Sequence, residues 1–394
     1  MNLSILNTAV QIFIVKHLGA DTIHMLFGKS PFSDVSTREL VEQIESKKRC
    51  EKKLPLWYAT PGIYYPPKLA IEQASSQVTA QYKSQLVKGE RILDITGGFG
   101  VDAYYFSLRV QQVVHCETNE ALSIIAQHNA KVFQANNMFF HKGSGMEYLK
   151  NSDEQFDTIY LDPSRRIKTQ KVFRLSDCEP DVFANRDILD QANARIIIKT
   201  SPLLDLKSGL ADLKNVSEVH IVSVRNECKE LLWVIDPDFQ DGETIINCVS
   251  IDKNEHIEIF RFQLSEEKQC QDVPLSGPLT FIYEPDVALL KGGCFKLITK
   301  KFSLLKLHQH SHLYTSEILN THFIGRKYRL EQSWSYKSFM KEKPIKQANI
   351  ISRNFPLSAD ELKKKHLLKD GGNTYLLFTK EHQNQLIVLA CTLI

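Results

Sequence analysis

Two short apolar runs in this chain end in residues that could bind a cofactor. The first run ends at Asp94 and leads into the turn Thr96-Gly97-Gly98-Phe99-Gly100. Small residues in such a turn let a ligand approach the backbone closely. The second run ends at Glu117, about one strand-and-helix unit later, where a carboxylate can accept hydrogen bonds from both hydroxyls of a ribose. The spacing therefore predicts a site for a cofactor that contains a ribose.

A third apolar run ends at Asp162-Pro163, where the proline fixes the turn after the strand. The polar segment that follows, up to Asp187, is longer than an ordinary connection. Its cations include Arg165, Arg166 and Lys168, which we expect to bind a substrate phosphate. The alternative is a solvated loop whose cations pair with nearby carboxylates.

Alternating apolar runs and helix-period segments between Arg91 and about residue 236 predict a largely parallel α/β sheet. The last two predicted strands are joined by five residues, too few for a helical crossover, so they should be antiparallel. Two further strands are predicted after them, over 244–251 and 256–262. The seven predicted strands of the sheet are 92–95, 113–116, 138–140, 158–161, 195–198, 218–224 and 230–235.

The region before the sheet reads as helical. Residues 69–86 can form one helix, on which Gln73 and Ser76 share a face. This helix could lie across the cofactor pocket, which makes both residues candidate cofactor contacts. Ordinary packing of the helix is the alternative.

These motifs resemble the class I S-adenosylmethionine-dependent methyltransferases, whose first motif has an acidic residue before a GxGxG-like turn. Thr96 stands here where the first glycine usually does, which requires a negative φ. The resemblance implies a Rossmann-like seven-stranded sheet with an antiparallel last pair, which argues against an NAD-binding dehydrogenase. It implies S-adenosylmethionine as cofactor, held by Asp94, Thr96, Gly97, Gly98, Gly100, Asp102 and Glu117, with Ser144 after the third strand.

Asp162 and Pro163 resemble the family's fourth motif, (D/N)PP(Y/F), and are thereby the predicted catalytic residues. In amine-methylating members this motif holds the target amine, so an amino nitrogen is the favoured acceptor. Arg165 replaces the usual aromatic residue. Because some RNA C5-methyltransferases resemble the DPxR form, methylation of a pyrimidine carbon is an alternative. It needs a cysteine nucleophile, and Cys178 is the candidate.

Charge is distributed unevenly along the chain. Residues 281–394 contain 18 lysines and arginines against 9 acidic residues, whereas residues 1–280 contain 31 against 37. A basic C-terminal region predicts a nucleic-acid partner. The alternative is a set of solvated helix faces.

The C-terminal region also resembles the end of Bacteroidetes-type methyltransferases that carry a small ferredoxin-like domain and a THUMP-like, RNA-associated domain. The matching segments are Tyr283-Glu284-Pro285-Asp286, Gly292-Gly293, 351–357 and 369–372. Arg353 and Asn354 are the predicted RNA contacts. The predicted domains are a helical region (1–87), a methyltransferase domain (88–240), a β extension (241–278), a ferredoxin-like domain (279–318) and a THUMP-like domain (319–394).

Eight irregularly spaced cysteines in a chain of 394 residues indicate reduced thiols and a cytoplasmic protein. No apolar run predicts a membrane helix, and no cleavable leader is recognised. The cluster His308, His310 and His312 would line one face of a strand, and no metal is predicted because no cysteine or carboxylate completes a known spacing.

The sequence thus predicts an S-adenosylmethionine-dependent methyltransferase with tRNA or rRNA as its substrate. One alternative is a small-molecule methyltransferase whose basic region serves oligomerisation. Another is a cofactor-binding protein without transfer activity. The oligomeric state is left open by the sequence.

Overall fold

The computed structural model describes residues 1–165, 178–240, 242–271, 273–342 and 345–394, with the side chain of Arg165 outside the description. The contacts divide the chain into two units, each described separately below. The first comprises Met1–Ser217 with Leu232–Gly242, and the second comprises Glu218–Leu231 with Glu243–Ile394. The strands β8 (Val216–Val224) and β9 (Glu227–Ile235) contribute residues to both units.

The first unit begins with short helices that pack an apolar cluster around Trp57. The longest of them, α3, starts at a capping box in which the Ser36 N–H donates to Glu39 Oε2 at 2.8 Å. The elements of this region are a 3₁₀ helix (Leu3–Leu6), α1 (Thr8–Lys16), α2 (Thr22–Leu26), α3 (Thr37–Lys53), α4 (Pro55–Ala59), α5 (Lys68–Gln73) and α6 (Gln77–Ser84).

The predicted single helix over 69–86 is wrong, because α5 ends at Gln73 and α6 begins at Gln77. Ala74 and Ser76 have extended backbones, and the Ser76 hydroxyl accepts the N–H of Thr79 as the N-cap of α6. Gln73 and Ser76 therefore do not share a face of one helix.

The sheet of the first unit is built from apolar runs such as Ile196–Ile198, which is buried throughout, as is typical of strands covered on both faces. Its order is β9-β7-β4-β1-β2-β3. The pairs β7–β4, β4–β1, β1–β2 and β2–β3 are parallel. The strands are β1 (Arg91–Asp94), β2 (Gln112–Glu117), β3 (Met138–Lys142), β4 (Thr158–Leu161) and β7 (Arg195–Thr200), with the Leu232–Ile235 part of β9.

All seven predicted strands form, with bounds that differ by at most three residues, and the α/β class is confirmed. The prediction did not include the short antiparallel pair β5 (Ser164–Arg165) and β6 (Cys178–Glu179). The remaining helices of this unit are α7 (Val101–Ser107), α8 (Glu120–Val132), α9 (Gly145–Asn151), α10 (Arg186–Gln191) and α11 (Leu206–Leu213).

In the second unit, the two strands predicted after the methyltransferase sheet form as β10 (Ile245–Ile251) and β11 (Ile257–Gln263). They are antiparallel to each other, and β10 is parallel to the Glu218–Val224 part of β8. A helix, α12 (Leu264–Gln269), follows β11. The Ser223 and Ser250 hydroxyls each donate to Asp286 Oδ2 at 3.1 Å.

A second sheet of this unit has seven strands in the order β13-β14-β12-β15-β18-β17-β16. Only β16–β17 is parallel among its pairs, and β12 pairs with β15, so one sheet includes residues from both predicted C-terminal domains. Its strands are β12 (Phe281–Pro285), β13 (Leu305–Lys306), β14 (Tyr314–Ser316), β15 (Gly325–Ser335), β16 (Asn349–Ser352), β17 (Thr374–Lys380) and β18 (Leu386–Leu393). Its helices are α13 (Val287–Gly292), α14 (Phe295–Phe302), α15 (Tyr336–Glu342) and α16 (Ala359–His366).

The histidine cluster lies in a turn between β13 and β14, which corrects the predicted strand. His308 Nδ1 accepts the N–H of His310 at 3.0 Å, and its Nε2 lies 2.9 Å from Asn384 Oδ1. Within the described ranges, no group of three or more histidine, cysteine, aspartate or glutamate side chains is placed to hold a metal ion.

Among the described residues, no helix has both the length and the apolar character needed to cross a membrane.

Candidate cofactor and methyl-transfer site

The glycine-rich turn joins β1 to α7, and its glycines are required by backbone and by packing. Gly98 and Gly100 have φ of +55° and +81°, in the left-handed region that favours glycine. A Cβ on Gly97 would lie 2.3 Å from the imidazole of His115, which is completely buried beneath the turn. Thr96 has no positive φ. The backbone therefore accommodates threonine at the position where the related motif has its first glycine.

Glu117, the last residue of β2, contacts this turn directly. Its Oε2 accepts the N–H of Gly98 at 2.9 Å, and its Oε1 accepts the N–H of Asn119 at 2.7 Å. A carboxylate has about four acceptor sites. The Thr118 hydroxyl also donates to Oε1, at 3.4 Å. One site, on Oε2, therefore stays available for a ribose hydroxyl beside the turn.

Asp94 is enclosed at the end of β1, with 1% of its surface exposed. Its Oδ1 accepts the N–H of Thr96 at 3.1 Å, whereas its buried Oδ2 has no hydrogen-bond partner among the described residues. Burial raises the pKa of this carboxyl well above its usual value, and the nearby charge of Asp102 raises it further. A buried acceptor without a donor would be satisfied by a cationic amino group.

Asp162 is fixed against the glycine turn by its backbone. It follows β4, which lies beside β1, and its N–H donates to Thr96 Oγ1 at 2.6 Å. Pro163, the next residue, is buried. The two motifs predicted from the sequence therefore meet at the carboxyl ends of adjacent strands, which is where ligands bind in open α/β sheets.

The Asp162 side chain also forms an ion pair with Lys199. The Lys199 Nζ contacts Asp162 Oδ2, and the two side chains are 16% and 28% exposed. Lys199 lies near the end of β7, the other neighbour of β4. Asp162 is thus bound to the glycine turn through its backbone and to an ammonium group through its side chain.

Asp102 lies in a buried network on α7. Lys83 Nζ lies 3.0 Å from its Oδ1, and Ser75 Oγ and Tyr160 OH donate to its Oδ2 at 2.7 and 3.1 Å. Burial alone raises the pKa of Asp102, but the charges of Lys83 and Lys199 outweigh it, so that the pKa lies below its usual value. The contacts of this predicted cofactor residue are thus with α6, β4 and the segment between α5 and α6.

The other predicted cofactor residues lie at helix ends. Ser144 is the N-cap of α9 and accepts the Glu147 N–H at 3.3 Å. Ser76 caps α6, as described above, and Gln73 is the exposed last residue of α5. Their roles as cofactor contacts stay predictions.

Of the predicted substrate residues, Arg166 and Lys168 lie outside the described residues, and only the backbone of Arg165 is described, in β5. Arg353 follows β16 in the second unit, and its Nε and Nη2 donate to the buried Glu284 Oε1 at 3.1 and 2.8 Å. The Asn354 amide donates to His308 Nδ1 at 3.1 Å. The Arg353 side chain is 40% exposed.

Two lysines of this site, Lys83 and Lys199, were not predicted from the sequence. Lys199 interrupts an apolar run near the end of its strand, a position like that which identified Asp94, Glu117 and Asp162. A search for charged residues at the ends of apolar runs, applied to the strand that forms β7, would have identified Lys199. Lys83 is completely buried on α6. The signal in the sequence would have been a lysine at a position of that helix where an apolar residue is expected.

Comparisons with known proteins show which family the chain belongs to. A family model described as a ferredoxin-like domain matches residues 281–323, and one described as THUMP domain-like matches residues 325–393. The chain is 30% identical in sequence to a protein from Porphyromonas gingivalis W83 whose crystal structure is known and which is named a methyltransferase. That match covers 100% of this chain and 99% of the other, with a TM-score of 0.89.

A curated relative, the tRNA (uracil(54)-C(5))-methyltransferase of Pyrococcus horikoshii, is 31% identical over 145 residues. The match includes 32% of this chain and 34% of that protein, so the chain spans about a third of the relative's length.

The fold and the motifs define a methyltransferase of class I. Over its whole length, the chain belongs to the same family as the P. gingivalis methyltransferase.

The cofactor of this class, S-adenosylmethionine, fits the described residues. Gly97 and Gly98 of the turn are only partly buried, Glu117 retains an acceptor site, and Asp94 Oδ2 has no donor among the described residues. These three features match a nucleoside that carries a cationic amino group.

Proposed function

We propose that this protein transfers a methyl group from S-adenosylmethionine to RNA. The observation that carries the proposal is the 2.6 Å hydrogen bond from the Asp162 N–H to Thr96 Oγ1. It holds the predicted acceptor-binding carboxylate beside the predicted cofactor turn. Since the sulfonium of the cofactor is a strong electrophile when bound, the chain mainly has to bind and orient the two reactants.

The proposed cofactor residues are Glu117 for the ribose, the turn Thr96–Gly100 for close backbone approach, and Asp94 for the amino group. Asp102 fixes the position of α7 through its contacts with Lys83 on α6 and Tyr160 on β4. The strand order β9-β7-β4-β1-β2-β3 within the first unit supports the class I arrangement. We retain Gln73, Ser76 and Ser144 as further candidates.

Three features support RNA as the substrate. Residues 281–394 carry a net charge of +9, and the last part of them matches a THUMP domain-like model. The P. horikoshii relative acts on tRNA by name. Phosphate contacts from a basic surface make RNA affinity strongly dependent on salt. Arg353, held by Glu284 and half-exposed, is the proposed contact with a defined orientation.

We favour an amino nitrogen as the methyl acceptor, since Asp162 is placed as a hydrogen-bond acceptor.

The second candidate is carbon 5 of a pyrimidine, which the name of the P. horikoshii relative favours. That reaction needs a thiolate nucleophile. All three cysteines in the first unit, Cys50, Cys116 and Cys178, are buried, and burial raises the pKa of Cys50 to about 12. Buried thiols of this kind are poor nucleophiles.

The domain bounds given above, with a methyltransferase domain at 88–240, remain part of the proposal. So does a cytoplasmic location, which is supported by the presence of all eight cysteines as free thiols.

The test is the transfer of labelled methyl from S-adenosylmethionine to total small RNA and to rRNA from cells that lack this protein. We expect label in one RNA species, and nuclease digestion then identifies the modified base. Label at a pyrimidine carbon would support the second candidate. Cofactor binding by calorimetry without label in any RNA would contradict the RNA proposal, and would favour a small-molecule substrate or a protein without transfer activity.

A further inference from the structure

We propose that Lys199 is a positioning residue that orients the Asp162 carboxylate for an acceptor atom that bears a proton, such as a base N–H. This inference rests on the proposed function, because it concerns the same methyl-transfer site. It adds a residue that was not predicted from the sequence.

The first observation is the placement of Asp162 between two fixed partners. The register pairs Leu161 of β4 with Ile198 of β7, so the residues that follow them, Asp162 and Lys199, lie side by side. The Lys199 ammonium contacts Oδ2, while the Asp162 N–H is held by Thr96. The backbone of Asp162 is therefore restrained by the glycine turn after β1, and its side chain by β7.

The second observation is the oxygen that remains. Asp162 is 28% exposed, and within the described part of the chain its Oδ1 accepts no hydrogen bond. With Oδ2 bound to Lys199, rotation of the carboxylate would break an ion pair. Oδ1 is therefore the oxygen that is open to an acceptor, and its direction is set by Lys199.

The chemistry of such an acceptor follows from this arrangement. When the acceptor nitrogen bonds to the methyl carbon, the carbon–sulfur bond breaks and its electron pair stays on sulfur. The nitrogen must then lose its proton, and Oδ1 is placed to accept the N–H hydrogen bond and afterwards the proton. The ammonium of Lys199 offsets the charge of the carboxylate in the ion pair, so that a neutral N–H group meets a site of low net charge.

The experiment compares Lys199→Met, Lys199→Arg and the unchanged protein, with Lys150→Met as a control at an exposed lysine of the same unit. We expect Lys199→Met to lower kcat about 10- to 100-fold, the scale of a misplaced reacting group. Cofactor affinity by calorimetry should stay within about threefold. Lys199→Arg, which retains a cation, should recover part of kcat. A crystal structure of Lys199→Met should show the Asp162 carboxylate in a new or mixed orientation.

Three results would overturn the inference. An unchanged kcat in Lys199→Met means that the ion pair does not position Asp162. An increase in kcat means that Lys199 blocks the acceptor. Equal losses of cofactor affinity and thermal stability in Lys199→Met and Lys199→Arg mean that the role is structural. Absence of transfer by the unchanged protein would instead overturn the proposed function itself, whereas an active protein with an unaffected Lys199→Met variant overturns only this inference.

Discussion

Two lysine–aspartate pairs in the first unit have the same chemistry but different surroundings. Lys83 is completely buried against Asp102, and Ser75 and Tyr160 supply the other hydrogen bonds of that carboxylate. Lys199 and Asp162 form their pair at the carboxyl ends of β7 and β4, where both side chains keep some exposure. The first pair is almost enclosed, with 0% and 11% of the two side chains exposed, whereas the second leaves a carboxylate oxygen available.

The difference shows how burial separates a structural ion pair from a functional one. Charges taken out of water must be compensated internally, and removal of one partner leaves the other uncompensated. The Lys199–Asp162 pair keeps some contact with water, which compensates part of its charge, so its removal should cost less stability. The buried pair should therefore govern folding, and the partly exposed pair should govern turnover.

The largest expected effect is on methyl-transfer activity, at the partly exposed pair of Lys199 and Asp162. Asp162→Ala should lower methyl transfer by about 10²- to 10⁴-fold, the range of an acid–base contribution, because the acceptor loses its hydrogen-bond partner. Cofactor affinity should change little. Labelled-methyl transfer and calorimetry measure the two quantities. Full activity in this variant would remove Asp162 from the site.

The next effect is on stability at the buried pair. Lys83→Met should lower the free energy of unfolding by about 3–5 kcal/mol, because Asp102 is left as an uncompensated buried charge. Urea denaturation measures this loss. The double variant Lys83→Met/Asp102→Asn should recover part of it. A loss in Lys83→Met no larger than that of an exposed lysine such as Lys150 would show that the pair does not stabilise the fold.

The buried pair should also give stability a dependence on pH. The pKa of Asp102 is lower in the folded protein than its usual value, so this carboxylate stabilises the fold above the pKa that it has when unfolded. The contribution is lost as pH falls through the folded pKa. The difference in unfolding free energy between the unchanged protein and Asp102→Asn should therefore shrink as pH is lowered from 7 toward 3. A difference that stays constant over this range would contradict the assignment.

A smaller effect is expected at Glu117, which contacts the glycine turn. Glu117→Ala should weaken cofactor binding by about 1.5–3 kcal/mol, the range of hydrogen bonds to a charged group. Calorimetry with S-adenosylmethionine measures it. Glu120→Ala, at an exposed helix residue nearby that pairs with Lys142, is the matched control and should leave affinity unchanged. Equal effects of the two substitutions would argue against a specific role for Glu117.

The smallest effect is expected at single exposed cations of the second unit. Lys364→Ala or Lys365→Ala should weaken RNA binding by a similar factor for every sequence and reduce the slope of log affinity against log salt by about one. Binding titrations at several salt concentrations measure this slope. Lys150→Ala in the first unit should leave it unchanged. Unaltered slopes in both C-terminal variants would indicate that α16 does not contact RNA.

The sequence predicted the strands because their signal is local. Apolar runs such as Ile196–Ile198 identify a buried strand, and a glycine turn directly after Asp94 identifies a close approach to the backbone. The break between α5 and α6 was missed, although Ser76 is a good N-cap, because residues 69–86 also fit a continuous helix. The Ser75 hydroxyl, bound to both Lys83 and Asp102, favours the break, and that contact is not visible in the local pattern.

By itself, the sequence determined the α/β class, the positions of the seven strands, the glycine turn and the carboxylates at strand ends, because each depends on residues a few positions apart. The tertiary structure alone decided that Asp102 is bound to Lys83, that Asp94 is enclosed and that Lys199 holds Asp162. The two ion pairs join residues 19 and 37 positions apart. Their charges and burial depend on which strands are neighbours in the sheet, a property of packing that no local pattern encodes.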